Sequence, residues 1–359
     1  AALTDKDRVV YFMNHRFGVE NSQEAVRKAI YDAYKSDVSI KILESKRGVS
    51  SYATLREAVC YAFADYVFVT ADGGLIAGSN NDTTAANGYY TVFSDEHSVL
   101  ALGIEQNIKY AQTVDGKQIV YYVATVDVTR DDVTIMVNYK DNQPPVLGSH
   151  IGLQTVEGQA KALVENNKGK YDNFNAIVAT NGAGYNIYNG TPSGLVVMGG
   201  EEYFPVTAPG FFGILKNGDA VIGTKEEYET IYKGQLQEGI AAFGAVLVKD
   251  GKINVTKASN YASSRASRTA IGITATGKVV MMVLDGRQLP FSAGGAMEEI
   301  AQIMLEAGCV EAVNLDGGGS TTYLSKPAGS DELQLVSSPS DGYARRVSTS
   351  LVAVSTAAP

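Results

Sequence analysis

The chain contains no tryptophan, only two cysteines and only three histidines in 359 residues. The histidines are His15, His97 and His150, and no HExxH occurs, which excludes a zincin. Cys60 and Cys309 are too few for a structural zinc cluster or a disulfide scaffold, and at most they form one long-range bridge. Cys309, in the apolar stretch GCVEAV, reads as a buried free thiol. No apolar run approaches the roughly 18 residues needed to cross a bilayer, so no integral membrane span is expected. Positive charge is also scarce. Lys plus Arg is 30 against 39 Asp plus Glu, a net charge of −9, which argues against nucleic acid as a partner. Charged residues make up 19% of the chain, below the usual share of about 25%. No leader segment is visible in the opening AALTDKDRVV, although the numbering could begin after a removed one. The low charge, the acidic balance and the 21 tyrosines are compatible with a secreted or cell-surface bacterial protein.

Glycine is plentiful, at 37, so tight turns are expected throughout. The length suggests two domains at roughly 100–200 residues each. Residues 1–88 read as a mainly helical N-terminal region of unknown role. NSQEAVRKAIYDAYKS and SYATLREAVCYAFADY each place apolar residues at helical spacing behind a capping residue. The Gly/Asn-rich stretch 72–90 reads as a loop or linker before a second domain, 89–359.

Beyond it the period changes to two. QIVYYVATVDV (118–128) and DVTIMVNYK (132–140) suggest a hairpin. A helix capped by Thr155 follows, then a buried strand, NAIVAT, ending in Asn181-Gly182. Gly-containing turns in GLVVMGGEEYFPV, GILKNGDAVIG, FGAVLVKDGKINV and AIGITATGKVVMMVLDG point to further hairpins. The fold class expected is α+β or mixed α/β: a β-rich catalytic domain with a mixed sheet, plus the smaller helical region.

The most informative segment begins at VVMMVLD (279–285), a continuous apolar run suited to a strand buried on both faces. An amphipathic helix within 292–308 follows, stopped by Gly308, and then a second buried strand, EAVNLD (311–316). Together they predict a βαβ unit with parallel strands and a right-handed crossover. Asp285-Gly286-Arg287 and Asp316-Gly317-Gly318-Gly319-Ser320 then emerge at one carboxyl-terminal sheet edge, where open α/β sheets place their ligands. Asn181 could join them there.

The chemistry at that edge is an anion pocket with acids beside it. Backbone N–H groups of Gly317, Gly318 and Gly319, the hydroxyls of Ser320 and Thr321, and the forks of Arg268 and Arg287 suit phosphate. Asp285, Asp316 and Glu299 supply carboxylates for acid, base or nucleophile. Taken singly each has a plainer reading. The glycine run alone is a tight turn, and no GK[ST] follows it to make a Walker loop. Ser320 lies in no GxSxG, Glu298 and Glu299 suit a helix dipole, and Arg265 and Arg268 alone would be solvated charges.

SRTAIGITATGKVVMMVLDGRQLPFSAGGAMEEIAQIMLEAGCVEAVNLDGGGSTTYL (267–324) resembles the signature of the phosphodiester glycosidase family. The pieces that match are RTAIG (268–272), DGRQ (285–288), the helix with Glu299, and NLDGGGST (314–321). IVATNG (177–182), FGAVLVKDGKI (243–253) and SSPSDGYARRVSTSLVAV (337–354), with Arg345 at the family's arginine position, extend the likeness over about residues 90–356. Two departures stand out. Asn181-Gly-Ala-Gly-Tyr185 replaces Asn-Gly-Gly followed by two aromatics, and Arg346 replaces a proline.

The resemblance implies hydrolysis of a sugar 1-phosphodiester, α-N-acetylglucosamine for example, at the sugar C1–O bond. A phosphorylated carbohydrate is then the partner, and no cofactor is needed; a divalent cation is compatible but not implied. It implies that Arg268, Arg345, the 317–321 turn and Asn181 bind substrate. Arg287 joins them or orients a carboxylate. Asp316, Asp285 and Glu299 are the catalytic candidates, with the two aspartates unranked. A non-catalytic phosphoglycan-binding surface module is the alternative.

Overall fold

The computed structural model describes residues 67–69, 75–77, 87–146, 151–255, 260–289, 291–327 and 329–357. The two helices expected before residue 67, Cys60, His15 and His150 lie outside the described residues. In chain order the strands are β1 (Val67–Val69), β2 (Leu75–Ala77), β3 (Tyr90–Ala101), β4 (Ile104–Thr113), β5 (Gln118–Val126), β6 (Val133–Asn138), β7 (Asn175–Asn181), β8 (Val196–Met198), β9 (Glu201–Phe204) and β10 (Gly210–Leu215). They continue as β11 (Ala220–Thr224), β12 (Leu236–Ala241), β13 (Val246–Lys249), β14 (Lys252–Ile253), β15 (Arg268–Thr274), β16 (Val279–Leu284), β17 (Cys309–Asn314), β18 (Tyr323–Ser325), β19 (Gln334–Leu335) and β20 (Ser350–Ser355). Helix α1 spans Val156–Asn167 and α2 spans Met297–Glu306. The described chain is therefore β-rich, as expected.

Two compact units are present. The smaller comprises Ala1–Ser94, Tyr110–Val120 and Arg287–Ala293. Within it β1 and β2 pair antiparallel, and Gln288 and Ser292 exchange reciprocal backbone bonds. Ala293 N–H donates to Gln118 O, and Gln118 Nε2 to Phe291 O at 2.8 Å.

The larger unit comprises Asp95–Lys109, Tyr121–Gly286 and Gly294–Pro359. One eight-stranded sheet has the order β14-β13-β17-β15-β16-β5-β4-β3. Two five-stranded sheets have the orders β11-β10-β12-β8-β9 and β19-β18-β7-β20-β6.

Three local expectations hold for plain reasons. Thr155 Oγ1 accepts the Gly158 N–H at 3.2 Å and starts α1, whose Val156, Ala160 and Leu163 pack on Ala179 and Val352 of β7 and β20. The hairpins β8–β9, β10–β11, β13–β14 and β15–β16 form around their glycine turns. Gly308, at φ +86, ends α2 in the left-handed region that a side chain would disfavour.

Two expectations are corrected. β5 and β6 do not form a hairpin: β5 pairs with β16, while β6 pairs with β20 in another sheet. Alternation marks both runs as strands but does not say which partner each finds. The expected βαβ unit is split. β16 and β17 run parallel, but β15 lies between them and is antiparallel to both. Every described pairing of β13 to β17 is antiparallel, so the mixed sheet is not found there.

Helix α2 covers this sheet through Met297, Ile300, Ala301, Ile303 and Met304, all buried. A Cβ on Gly272 of β15 would meet Met304 Cε and Cys309 Sγ, so the bare glycine lets the helix approach. Truncating Met304 would remove contacts worth about 2–5 kcal/mol. Cys309 is a free buried thiol whose pKa burial pushes up to about 12, which suits packing rather than reactivity.

Glu238 of β12 is the least expected core residue, 3% exposed. Its Oε2 accepts the Val137 N–H at 2.9 Å and its Oε1 the Gly199 N–H at 3.2 Å. Burial raises its pKa from 4.5 to about 8, against the pull of the two N–H donors. The folded state therefore holds a proton that the unfolded chain releases above its ordinary value. This residue's contribution is fully present below about 4.5 and is lost as pH rises toward about 8. Glu238→Gln, which replaces one of the two acceptors, is expected to cost about 1–3 kcal/mol at acid pH and to flatten the pH dependence of thermal unfolding. Equal slopes in the two proteins would contradict a raised native pKa.

Candidate active site

β15 runs antiparallel between β16 and β17, with Arg268 opposite Leu284 and Ala270 opposite Asn314. The first residue of β15 therefore lies at the edge where β16 and β17 end. Arg268, Asp285 and Asp316 share that edge. Asn181, at the end of β7, reaches it from another sheet: its Nδ2 donates to Asp316 O at 2.8 Å. The convergence expected from the sequence is present, although it is built on an antiparallel sheet.

The turn after β17 is fixed by its backbone. Leu315 N–H donates to Thr269 O, Asp316 N–H to Gly182 O and Gly318 N–H to Ser267 O. Gly318 has φ +62, which favours glycine. The Gly317 N–H donates to Asp316 Oδ1 at 3.0 Å. The amides of Gly317 and Gly318, read from the sequence as phosphate donors, are thus engaged within the protein. Asn181 is engaged at both ends of its amide, since its Oδ1 accepts from Thr269 Oγ1 at 2.7 Å and from the Thr322 N–H at 3.1 Å. It is completely buried and shapes the turn.

Asp316 is half-buried at the mouth of this turn. Burial raises its pKa above the usual carboxylate range, opposed by the Ser320 hydroxyl, the Gly317 N–H and the charge of Arg345. Arg345 is 36% exposed, and its Nε and Nη2 donate to Asp341 Oδ2 at 3.0 and 2.6 Å. The Tyr185 hydroxyl donates to Arg346 O at 2.9 Å and lies in hydrogen-bond reach of Ser320 and Arg345. Burial raises the Tyr185 pKa, so the phenol stays protonated at neutral pH. Thr321 Oγ1 is buried with no protein partner. One accessible carboxylate, a guanidinium and a phenol thus gather around a serine.

Gly319 lets Arg345 and Asp341 lie close to the turn, because a Cβ there would fall on the Arg345 guanidinium and on Asp341 Oδ2. Gly319→Ala is expected to displace Arg345 and weaken binding of a phosphate ligand by about tenfold, the worth of one charge-assisted hydrogen bond. Titration with inorganic phosphate checks it, and unchanged affinity would contradict the contact.

The remaining candidates are placed differently. Arg268 is 2% exposed, with Nε donating to Gly295 O at 3.2 Å and Nη2 to Ser264 O at 2.7 Å. Glu299 forms a forked pair with Arg265, at 2.7 and 2.8 Å, and its Oε2 also accepts the Ala296 N–H at the start of α2. These arginines are built into the frame and are not the solvated charges a single-residue reading gives. Asp285 is completely buried, its Oδ2 accepting from Tyr122 Oη at 2.8 Å and the Ser338 N–H at 2.9 Å. Gly286 passes so close to the Ala266–Ser267 backbone that a Cβ would not fit. Arg287 belongs to the smaller unit, where it is exposed with φ +59.

Asp341 and Tyr122 escape the sequence reading, and Tyr185 enters it only as the end of a motif that departs from the family's. Asp341 and Arg345 carry the one usable signal, opposite charges four residues apart in a glycine turn. Tyr122 sits in an alternating strand with nothing to mark it. His97 pairs with Glu105 on an exposed strand surface at 2.9 Å, and among the described residues no cluster of three or more His, Cys, Asp or Glu is placed to hold a metal ion.

Comparison with known proteins identifies the family. Residues 174–354 match the family model described as phosphodiester glycosidase. The SPbeta prophage-derived uncharacterized protein YomE of Bacillus subtilis (strain 168) is 32% identical over 154 residues, 41% of this chain and 24% of that protein. The Bos taurus N-acetylglucosamine-1-phosphodiester alpha-N-acetylglucosaminidase is 28% identical over 169 residues, 41% of this chain and 31% of that protein. The matched region thus spans 24–31% of the length of these relatives. The zebrafish N-acetylglucosamine-1-phosphodiester alpha-N-acetylglucosaminidase catalytic domain, auto-inhibited by its pro-peptide, shares the fold with a TM-score of 0.54 at 19% identity, covering 74% of this chain and 87% of that one. No described helix is long and apolar enough to cross a membrane. With the family model covering residues 174–354 and the edge of its sheet assembled as described, the chain belongs to the phosphodiester glycosidase family.

Proposed function

We propose that the chain hydrolyses sugar 1-phosphodiesters between the anomeric carbon and the phosphate oxygen, releasing free sugar and a phosphomonoester. The relatives' names support N-acetylglucosamine as the sugar. The observation that carries the reading is Asp316, half-buried and accessible, held beside the Arg345 guanidinium on a turn fixed by Asn181 and Thr269.

The chemistry follows from charge. As the C1–O bond breaks, its electron pair leaves on the phosphate, which gains negative charge. Arg345 receives that charge. Positive charge develops at C1, where the ionised Asp316 offsets it. Water oxygen then bonds to C1, and its proton passes to Asp316 and on to solvent. Phosphate is a good leaving group, so little acid assistance is required. Arg268 and the Arg265–Glu299 pair hold the frame at the start of β15 and α2. Residues 89–359 form the catalytic domain in this reading, with residues 1–88 a region of unknown role. The acidic, low-charge composition supports secretion.

Incubating the full chain with a nucleoside-diphosphate N-acetylglucosamine or a chromogenic N-acetylglucosamine phosphodiester tests the reading. Free N-acetylglucosamine is expected. Sugar 1-phosphate, or saturable binding without turnover, would overturn it.

A further inference from the structure

The structure contains a buried carboxylate whose place in the site is indirect. Asp285 has no exposed surface, and its Oδ2 accepts two hydrogen bonds, from Tyr122 Oη and from the Ser338 N–H. Ser338 opens the segment that carries Asp341 and Arg345. Three further contacts fix where that segment begins. The Tyr323 carbonyl accepts from the Val336 and Ser337 N–H groups, and the Tyr323 N–H donates to Ser337 Oγ at 2.8 Å. The Tyr122 ring stacks on Tyr323 at 5.3 Å between centroids and 16° between planes. Tyr323 Oη in turn donates to Gln106 Oε1 at 3.1 Å.

The far end of the segment is held separately. Tyr185 Oη donates to Arg346 O, and Val347 exchanges backbone bonds with Gln154. Between the clamps, Gly342 N–H closes a turn on Pro339 O, and Asp341 grips the Arg345 guanidinium. Arg345 therefore reaches Gly319 and Asp316 from a loop tied down at both ends. Asp285 is the upstream tie nearest Arg345, beside those through Tyr323.

We infer that Asp285 is a positioning residue for Arg345: with Tyr122 it holds the Ser338 N–H, and so sets where the guanidinium meets a phosphate, without touching the sugar itself. This rests on the reading of Arg345 as the phosphate-receiving group. A completely buried carboxylate with two donors on one oxygen is suited to holding backbone, whereas Asp316, at the mouth of the turn, is the carboxylate a substrate can meet.

A double-mutant cycle in the full chain tests this, with inorganic phosphate as the probe, so the result does not depend on turnover. Tyr122→Phe removes one of the two donors on Asp285 while keeping the ring stack, so it is expected to fold; Asp285→Asn keeps an acceptor oxygen. Each is expected to weaken phosphate binding by about 3–20-fold in the unaltered background and by less than about twofold when Arg345 is already alanine. With a phosphodiester substrate, Tyr122→Phe is expected to raise KM, with the acid limb of the pH profile moved in the same upward direction as in Arg345→Ala. Equal effects of Tyr122→Phe with and without Arg345 would overturn the proposal, as would an acid limb that shifts when Arg345 is already alanine, which would mark Asp285 as a titrating participant. If Asp285→Asn does not fold, the Tyr122→Phe cycle decides alone. Absence of saturable phosphate binding in the unaltered chain would overturn the proposal as well. Binding with the expected non-additivity but no sugar release would uphold it and sink only the hydrolytic reading.

Discussion

Asp316→Asn is expected to lower kcat on an N-acetylglucosamine phosphodiester by about 10³-fold while leaving thermal unfolding close to that of the unaltered protein. The asparagine keeps an oxygen for the Gly317 N–H, and the turn remains held by Asn181, Thr269 and Ser267. What disappears is negative charge opposite the anomeric centre. The pH profile gives a second readout. Burial, the largest influence on Asp316, raises its pKa, so the acid limb of activity lies above the range of an ordinary exposed carboxylate. Activity that survives the substitution within about tenfold would remove Asp316 from the chemistry.

Arg345→Ala is expected to cost about 10²–10³-fold in kcat/KM, the scale seen when one donor to a developing oxyanion is removed. It also removes the cation that pulls the Asp316 pKa down. The two effects have separate signatures: loss of Arg345 weakens inorganic phosphate binding and moves the acid limb of activity further upward. A substitution that lowers activity but leaves the limb in place would break the proposed link between the two groups. Arg345→Lys is expected to restore part of the charge effect and little of the affinity, because an ammonium cannot hold Asp341 and face a phosphate through one planar fork.

Much of this site was legible in the chain, for an identifiable reason. Asp285 follows an uninterrupted apolar run and Asp316 a strand with an apolar pattern broken by Glu311 and Asn314, and such segments mark strands whose ends share an edge. The helix between them fixed the direction of β17 relative to β16. Nothing local reported that β15 slips between the two, because the partner of a buried strand is chosen by the whole sheet. The division of labour among charged residues was hidden for a related reason. Arg268 and Arg345 look alike in sequence, yet the first spends its guanidinium on Ser264 and Gly295 carbonyls while the second meets solvent at Asp341. Glu299 looked like a candidate acid and is spoken for by Arg265, 34 residues away in the chain. Burial and partners of this range are properties of the folded state. Glu238 is the extreme case, an acid in an ordinary strand pattern that holds two backbone N–H groups in the core.

The measurement that bears most directly on the account is hydrolysis in ¹⁸O-labelled water. If Asp316 and Arg345 act on opposite sides of the C1–O bond, the label enters the anomeric hydroxyl of the released sugar and the phosphomonoester carries none. Label in the phosphoryl group, with sugar 1-phosphate as the other product, would contradict it.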